Sequence, residues 1–170
     1  ISDYNTTGMD RKSFESLTQG IFKSTKSNKG SQGSKGVGKA AYYASSYLRT
    51  MLISTRSEEG LRYRGAAKLS SHHCPNTNYD LNYKGLYGDL EVKNENEVPE
   101  LFRRIEKGTS IFIIGLWDLN NLNQDIIREV LRNYWFAILQ DQLVVKVNKV
   151  EIHKDNVRKY IENYFDDYRD

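Results

Sequence analysis

Apolar positions along the chain recur with two different periods. Phe14, Leu17, Ile21 and Phe22 share one side of a helix predicted over Lys12–Ile21. Residues Ile1–Met9 read as the end of a strand running into a loop. The polar Ser/Lys/Gly stretch over 23–36 has no apolar period and predicts a loop. A second helix is expected from Val37 through Leu48, carrying Ala40, Ala41, Tyr43, Ala44 and Leu48.

The period then changes to two. Met51–Thr55 alternates, and Leu61–Leu69 offers a partner strand, with Glu59-Gly60 as the hairpin turn. Residues 72–88 are rich in Asn and Tyr, contain Pro75 and predict a loop. Pro99–Ile105 suits a short helix. The near-continuous Ile/Phe run of Ser110–Trp117 predicts a strand buried on both faces. The clearest helix is Gln124–Gln140, where Ile126, Ile127, Val130, Leu131, Tyr134, Trp135, Ile138 and Leu139 recur at helical spacing opposite Arg128, Glu129 and Arg132. Tyr134, Trp135 and Phe136 are expected in its core. Leu143–Val147 and Asn156–Phe165 close the chain as a strand and a helix. This order predicts one α+β domain over 1–170, a mainly antiparallel sheet with helices on one face.

Composition narrows the class. An aromatic content of 12% argues against disorder, and no apolar run approaches the ~18 residues of a membrane helix. No membrane partner is expected, and the absence of a signal-peptide pattern suggests a cytoplasmic protein. The single cysteine, Cys74, excludes an internal disulfide. His72-His73-Cys74 places its side chains on adjacent residues rather than at zinc-ligand spacing, so an ordinary loop is expected there. No Ser-His-Asp arrangement stands out.

Charge is uneven. The net charge is +3, yet between Glu15 and Glu58 there is no acidic residue, while Lys23, Lys26, Lys29, Lys35, Lys39, Arg49 and Arg56 carry +7. The rest of the chain is therefore at −4. Gly30, Gly33, Gly36 and Gly38 crowd into the same region. Glycines allow close backbone approach, successive amides and a helix start attract anions, and lysine adds point charge: together they suit a phosphate cradle. Gly33 to Lys39 satisfies the G-x-x-x-x-G-K part of a P-loop. However, Ala40 stands where Ser or Thr would bind magnesium, and no buried strand precedes it.

Three segments in order carry a more specific pattern: DYNTTGM (Asp3–Met9), GSQGSKGVGK (Gly30–Lys39) and GTSIFIIG (Gly108–Gly115). They resemble the three glycine boxes of the GHKL ATPases (gyrase, heat-shock chaperone, histidine kinase and MutL), with the MORC proteins as close relatives. Tyr47–His72 resembles a bacterial branch met among restriction-like and phage-defence proteins. The resemblance implies a Bergerat-type two-layer α/β sandwich that binds ATP with Mg2+, closes a lid over it and dimerises, with DNA as a partner of the longer protein.

Residue by residue, the resemblance implies that Asp3 accepts a hydrogen bond from the adenine amine, with Asn5, Gly8 and Met9 around the base. It places Gly33, Gly36, Val37, Gly38 and Lys39 near the phosphates, and the Thr109 hydroxyl near Asp3, with Gly108 keeping that corner open. The first box departs from D-x-G-x-G: Asn5, Thr6 and Thr7 precede Gly8, one residue more and one glycine fewer. In the family, a water-activating glutamate and a magnesium-holding asparagine lie on a helix upstream of this box. The expectation is thus a nucleotide-binding part of a longer ATPase that does not hydrolyse ATP efficiently alone. The rival reading is a nucleic-acid-binding module, with Lys23, Lys26, Lys29 and Arg49 on one exposed face.

Overall fold

The computed structural model describes residues 1–19, 38–117 and 120–165. Its architecture is α+β with a mainly antiparallel sheet. The chain divides into two compact units, Ile1–Trp117 and Asp118–Asp170.

In the first unit, α1 (Arg11–Gln19) and α2 (Gly38–Ala44) precede two long strands, β1 (Ser46–Ser57) and β2 (Gly60–Lys68). Three short strands follow, β3 (His72–Cys74), β4 (Tyr79–Leu81) and β5 (Lys84–Tyr87), and then β6 (Gly108–Leu116). The main sheet has the order β5-β2-β1-β6, with every neighbouring pair antiparallel. Strands β3 and β4 form a separate ribbon.

Cross-strand partners sort the sheet into two faces. Met51 and Ile53 of β1 share a face with Ala66 of β2 and Ile111 of β6. That face packs against the fully buried Phe14 of α1 and against Tyr43 of α2. Asp10 starts α1 by accepting the Ser13 amide hydrogen at 2.7 Å, an N-cap contact. The opposite face presents Leu52, Leu61 and Tyr63 to Val92, Val98 and Phe102. It is covered by irregular chain with 3-10 turns at Glu95–Glu97 and Glu100–Phe102. Within this unit α1 and α2 thus lie on one face of the sheet, as predicted for its helices, and loop segments close the other.

The N-terminal residues lengthen this sheet. Ser2 bridges Ser110 in antiparallel fashion, the Ile111 amide donates to the Ile1 carbonyl at 2.8 Å, and the Asp3 amide to the Thr109 carbonyl at 2.9 Å. The segment before the first glycine box therefore runs beside the third.

Several boundaries differ from the sequence reading. The second helix stops at Ala44, and Tyr47 and Leu48 belong to β1. There a bulge between Ser46 and Thr50 breaks the alternation that marks a strand, and Arg49 takes a positive φ of 46°. The hairpin turn is Glu58-Glu59, with Gly60 already paired to Ser57. The stretch over 72–88 holds three strands, each of three or four residues and mostly exposed, too short to show an apolar period.

The second unit contains α3 (Leu122–Leu139), the hairpin of β7 (Val145–Val147) and β8 (Val150–Ile152), and α4 (Val157–Phe165). Ile127, Leu131 and Ile138 of α3 form its core with Val147, Ile152 and Val157. The expectation for the α3 aromatics is overturned: Tyr134, Trp135 and Phe136 are all exposed. Phe136 lies opposite the face of Ile127, Leu131 and Ile138, whereas Tyr134 and Trp135 keep the helical spacing of those residues and are exposed all the same.

Candidate functional site

The end of β6 nearest the N-terminal segment gathers residues from four parts of the chain. Thr55 of β1 and Thr109 of β6 are direct cross-strand partners, both buried, with their hydroxyls 3.0 Å apart. The Thr55 hydroxyl also accepts the Met9 amide hydrogen at 2.9 Å and donates to the Gly108 carbonyl at 3.0 Å. A threonine hydroxyl has one proton. With that proton on Gly108, Thr109 must donate to Thr55, and the Thr109 oxygen can then only accept from anything further.

Asp3 adjoins this pair. Its Oδ1 accepts the Thr109 amide hydrogen and the Thr6 hydroxyl, the latter at 3.1 Å. Its Oδ2 takes no hydrogen bond from any described residue, and the side chain is 51% exposed. One carboxylate oxygen is therefore fixed by the fold, and the other is presented as an acceptor.

Arg104 ties this corner together. Its side chain is only 4% exposed. Its guanidinium donates to the carbonyls of Asp3, Glu106 (3.0 Å) and Lys107 (3.1 Å), and to the Ser110 hydroxyl at 2.7 Å. It also lies 3.9 Å from Asp3 Oδ1 and packs over the Tyr4 ring. Planar donors in a fixed fork suit such a many-sided contact.

Two glycines are required by contact. Gly108 has φ +127°, and a Cβ there would lie 2.6 Å from Asp3 Oδ1 and 2.7 Å from the Asp3 carbonyl, besides overlapping Arg104. The space that Gly108 was expected to keep open is filled by the protein itself. Gly8 has φ +69°, and a Cβ would collide with the Arg56 carbonyl, so this glycine lets the box cross the backbone of β1.

The other expected site residues are distributed as follows. The partly buried Met9 packs against the cluster around Phe14. Asn5 is exposed at φ 58°, a conformation asparagine tolerates, and no described hydrogen bond ties its side chain to the corner. Gly38 opens α2, where a Cβ would meet nothing within 4 Å. Lys39 reaches α1 instead of the corner, donating to the Ser16 carbonyl at 3.1 Å. Burial, followed by the fields of Lys68 and Lys84, lowers its pKa. Gly33, Gly36 and Val37 lie outside the described residues, as do Lys23, Lys26 and Lys29.

Thr55 and Arg104 carry no motif. Only the β1–β6 register and the turn before β6 reveal their part in the corner. Among the described residues no group of three His, Cys, Asp or Glu side chains could hold a metal ion. His73 instead meets Asp80 at 3.0 Å across β3 and β4. Among the described residues no helix is long and apolar enough to cross a membrane.

No family model, curated protein or solved structure matches the chain.

Proposed function

We propose that the Asp3–Thr109 corner binds the adenine of ATP, and that this chain is the nucleotide-binding part of a GHKL-type ATPase. One observation carries the reading. Two glycine-box segments more than a hundred residues apart meet so that Asp3 is held through Oδ1 while Oδ2 remains available. An ionised carboxylate accepts only, which suits the exocyclic amine of adenine. Thr109, its proton committed to Thr55, offers a second acceptor to an ordered water beside the base. Lid closure and dimerisation belong to the same proposal through the family resemblance, with DNA as a partner of the longer protein. Fold-level analogy supports these weakly by comparison with the corner's chemistry.

Asp3→Asn is the sharpest test, because it is isosteric. The Asn oxygen can still accept from the Thr109 amide, while an NH2 group replaces Oδ2 and meets the adenine amine donor to donor. Titration calorimetry with adenosine and ATP should show at least about a tenfold loss for both ligands, as expected for losing a hydrogen bond to a charged group. Inosine carries a carbonyl in place of that amine, and should gain relative to adenosine in the variant. Unchanged adenosine affinity, or no adenosine binding by the wild type, overturns the reading.

A further inference from the structure

A second charged group lies away from the Asp3 corner, around the last turn of α1. Lys68 of β2 and Lys84 of β5 are direct cross-strand partners, so their side chains leave the same face of the sheet. The Lys84 ammonium reaches the Gln19 carbonyl at 3.4 Å, and that of Lys39 reaches the Ser16 carbonyl at 3.1 Å, one turn earlier. The Lys68 ammonium sits 4.7 Å from the centre of the Tyr43 ring, and Tyr43 lies one helical turn after Lys39 on α2. The Lys39 and Lys84 ammonium groups thus reach the last turn of α1, and the fields of both Lys68 and Lys84 act on Lys39.

The carbonyls at the end of α1 account for only part of this charge. A helix C-terminus carries roughly half a negative charge, less than the charge of Lys68 and Lys84 alone. Like charges directly opposite on neighbouring strands destabilise a sheet, and neither Lys68 nor Lys84 forms an ion pair with a described residue. The same face of β2 also carries Arg64, 93% buried, whose hydrogen bond is from Nε to the Gly88 carbonyl at 2.9 Å and whose Nη1 has no partner. Among the described residues, no acidic group pairs with Lys68, Lys84 or Arg64 on this face of β2.

We propose that Lys68 and Lys84, together with Lys39, form a binding site for an oligophosphate anion. Compact ammonium groups on flexible stems act as point charges toward phosphate oxygens. The buried Tyr43 ring, its hydroxyl kept neutral by a pKa that burial raises, gives the group a rigid floor. An oligophosphate matches the cluster better than a single carboxylate, since it sets several negative charges against several ammonium groups. The site stands on the lysine geometry alone and does not require the adenine reading.

The experiment uses tripolyphosphate as probe, with the full chain and a Lys68→Gln/Lys84→Gln variant. In the wild type, tripolyphosphate should raise the melting temperature in a salt-sensitive way. The variant should keep or raise its own melting temperature, because the opposed charges are gone, and bind tripolyphosphate at least about tenfold more weakly. Equal tripolyphosphate affinity in the two proteins overturns the site, as does a wild type that does not respond. ATP and adenosine distinguish the sources of the phosphate. A variant that loses ATP affinity but keeps adenosine affinity places a nucleotide's phosphate chain on the lysines. One that loses tripolyphosphate alone assigns them to a free oligophosphate. Adenosine binding and Asp3→Asn test the corner separately, so either proposal can fail without the other.

Discussion

Asp3 and Thr109 hold each other through both backbone and side chain: the Asp3 amide donates to the Thr109 carbonyl at 2.9 Å, and the Thr109 amide returns a hydrogen bond to Asp3 Oδ1. Such a reciprocal pair fixes the carboxylate relative to the start of β6. The residues that enforce it are Gly108, Arg104 and Thr55, and each makes a separate prediction.

Gly108→Ala should be severely destabilising. The new methyl would overlap the Asp3 oxygens and the Arg104 guanidinium, on a backbone at φ +127°. Clash and strain of this kind cost about 3 kcal/mol or more. Urea denaturation should show it as a lower midpoint. Gly38→Ala, where a Cβ meets nothing within 4 Å, should change stability by no more than about 1 kcal/mol. Similar losses at the two positions would refute this account of Gly108.

Arg104 should be needed for the local order of the corner as well as for stability. Arg104→Met removes the donors to the Asp3, Glu106 and Lys107 carbonyls and to Ser110. Arg104→Lys keeps the charge but cannot reproduce the fork. Native-state hydrogen exchange at the Thr109 amide should accelerate most in Met, less in Lys, and least in the wild type. Wild-type protection in both variants would mean that Asp3 is held without the guanidinium.

The fold was legible in the sequence wherever a period ran long enough. Strands β2 and β6 and helix α3 show runs of nine residues or more. The failures are local and physical. Tyr47 and Leu48 continue the apolar spacing of α2, and the bulge that makes them strand depends on pairing with β6. Strands β3 to β5 rest on backbone pairing of three or four mostly exposed residues each, and leave no pattern of buried positions. At the site, Asp3, Gly8 and Thr109 were found from their glycine boxes. Thr55 was not, because an isolated strand threonine acquires its role only from the residue opposite it. The crowding at Gly108 was equally hidden, since Asp3 and Arg104 come from other parts of the chain.

Thr55 tests the hydrogen-bond assignment. Its hydroxyl serves the Met9 amide, the Gly108 carbonyl and the Thr109 hydroxyl at once. Thr55→Val preserves shape but leaves buried polar groups unpaired, at a cost of about 2–3 kcal/mol. Thr55→Ser retains the hydroxyl and should lose about 1 kcal/mol at most, chiefly from the missing methyl. Denaturation curves that rank Ser below Val would contradict the network.

Acid should weaken the attachment of α1 through Asp10. The Ser13 backbone amide, its largest influence, and then the Ser13 side chain hold the Asp10 pKa below the ordinary 3.8, against the opposing effect of burial and with lesser help from the fields of Arg62 and Lys12. A carboxyl with a depressed native pKa binds fewer protons folded than unfolded near that value, so its stabilisation is complete above about pH 4. It is lost as pH falls through the lower native pKa, when the protonated cap becomes a poorer acceptor. Asp10→Asn keeps a cap of similar quality but cannot titrate. Unfolding free energy measured from pH 5 down to pH 2 should therefore fall less steeply in Asp10→Asn than in the wild type, with the two curves closest at the upper end. Parallel curves over the whole range would show that the helix start contributes nothing to the acid sensitivity of the fold.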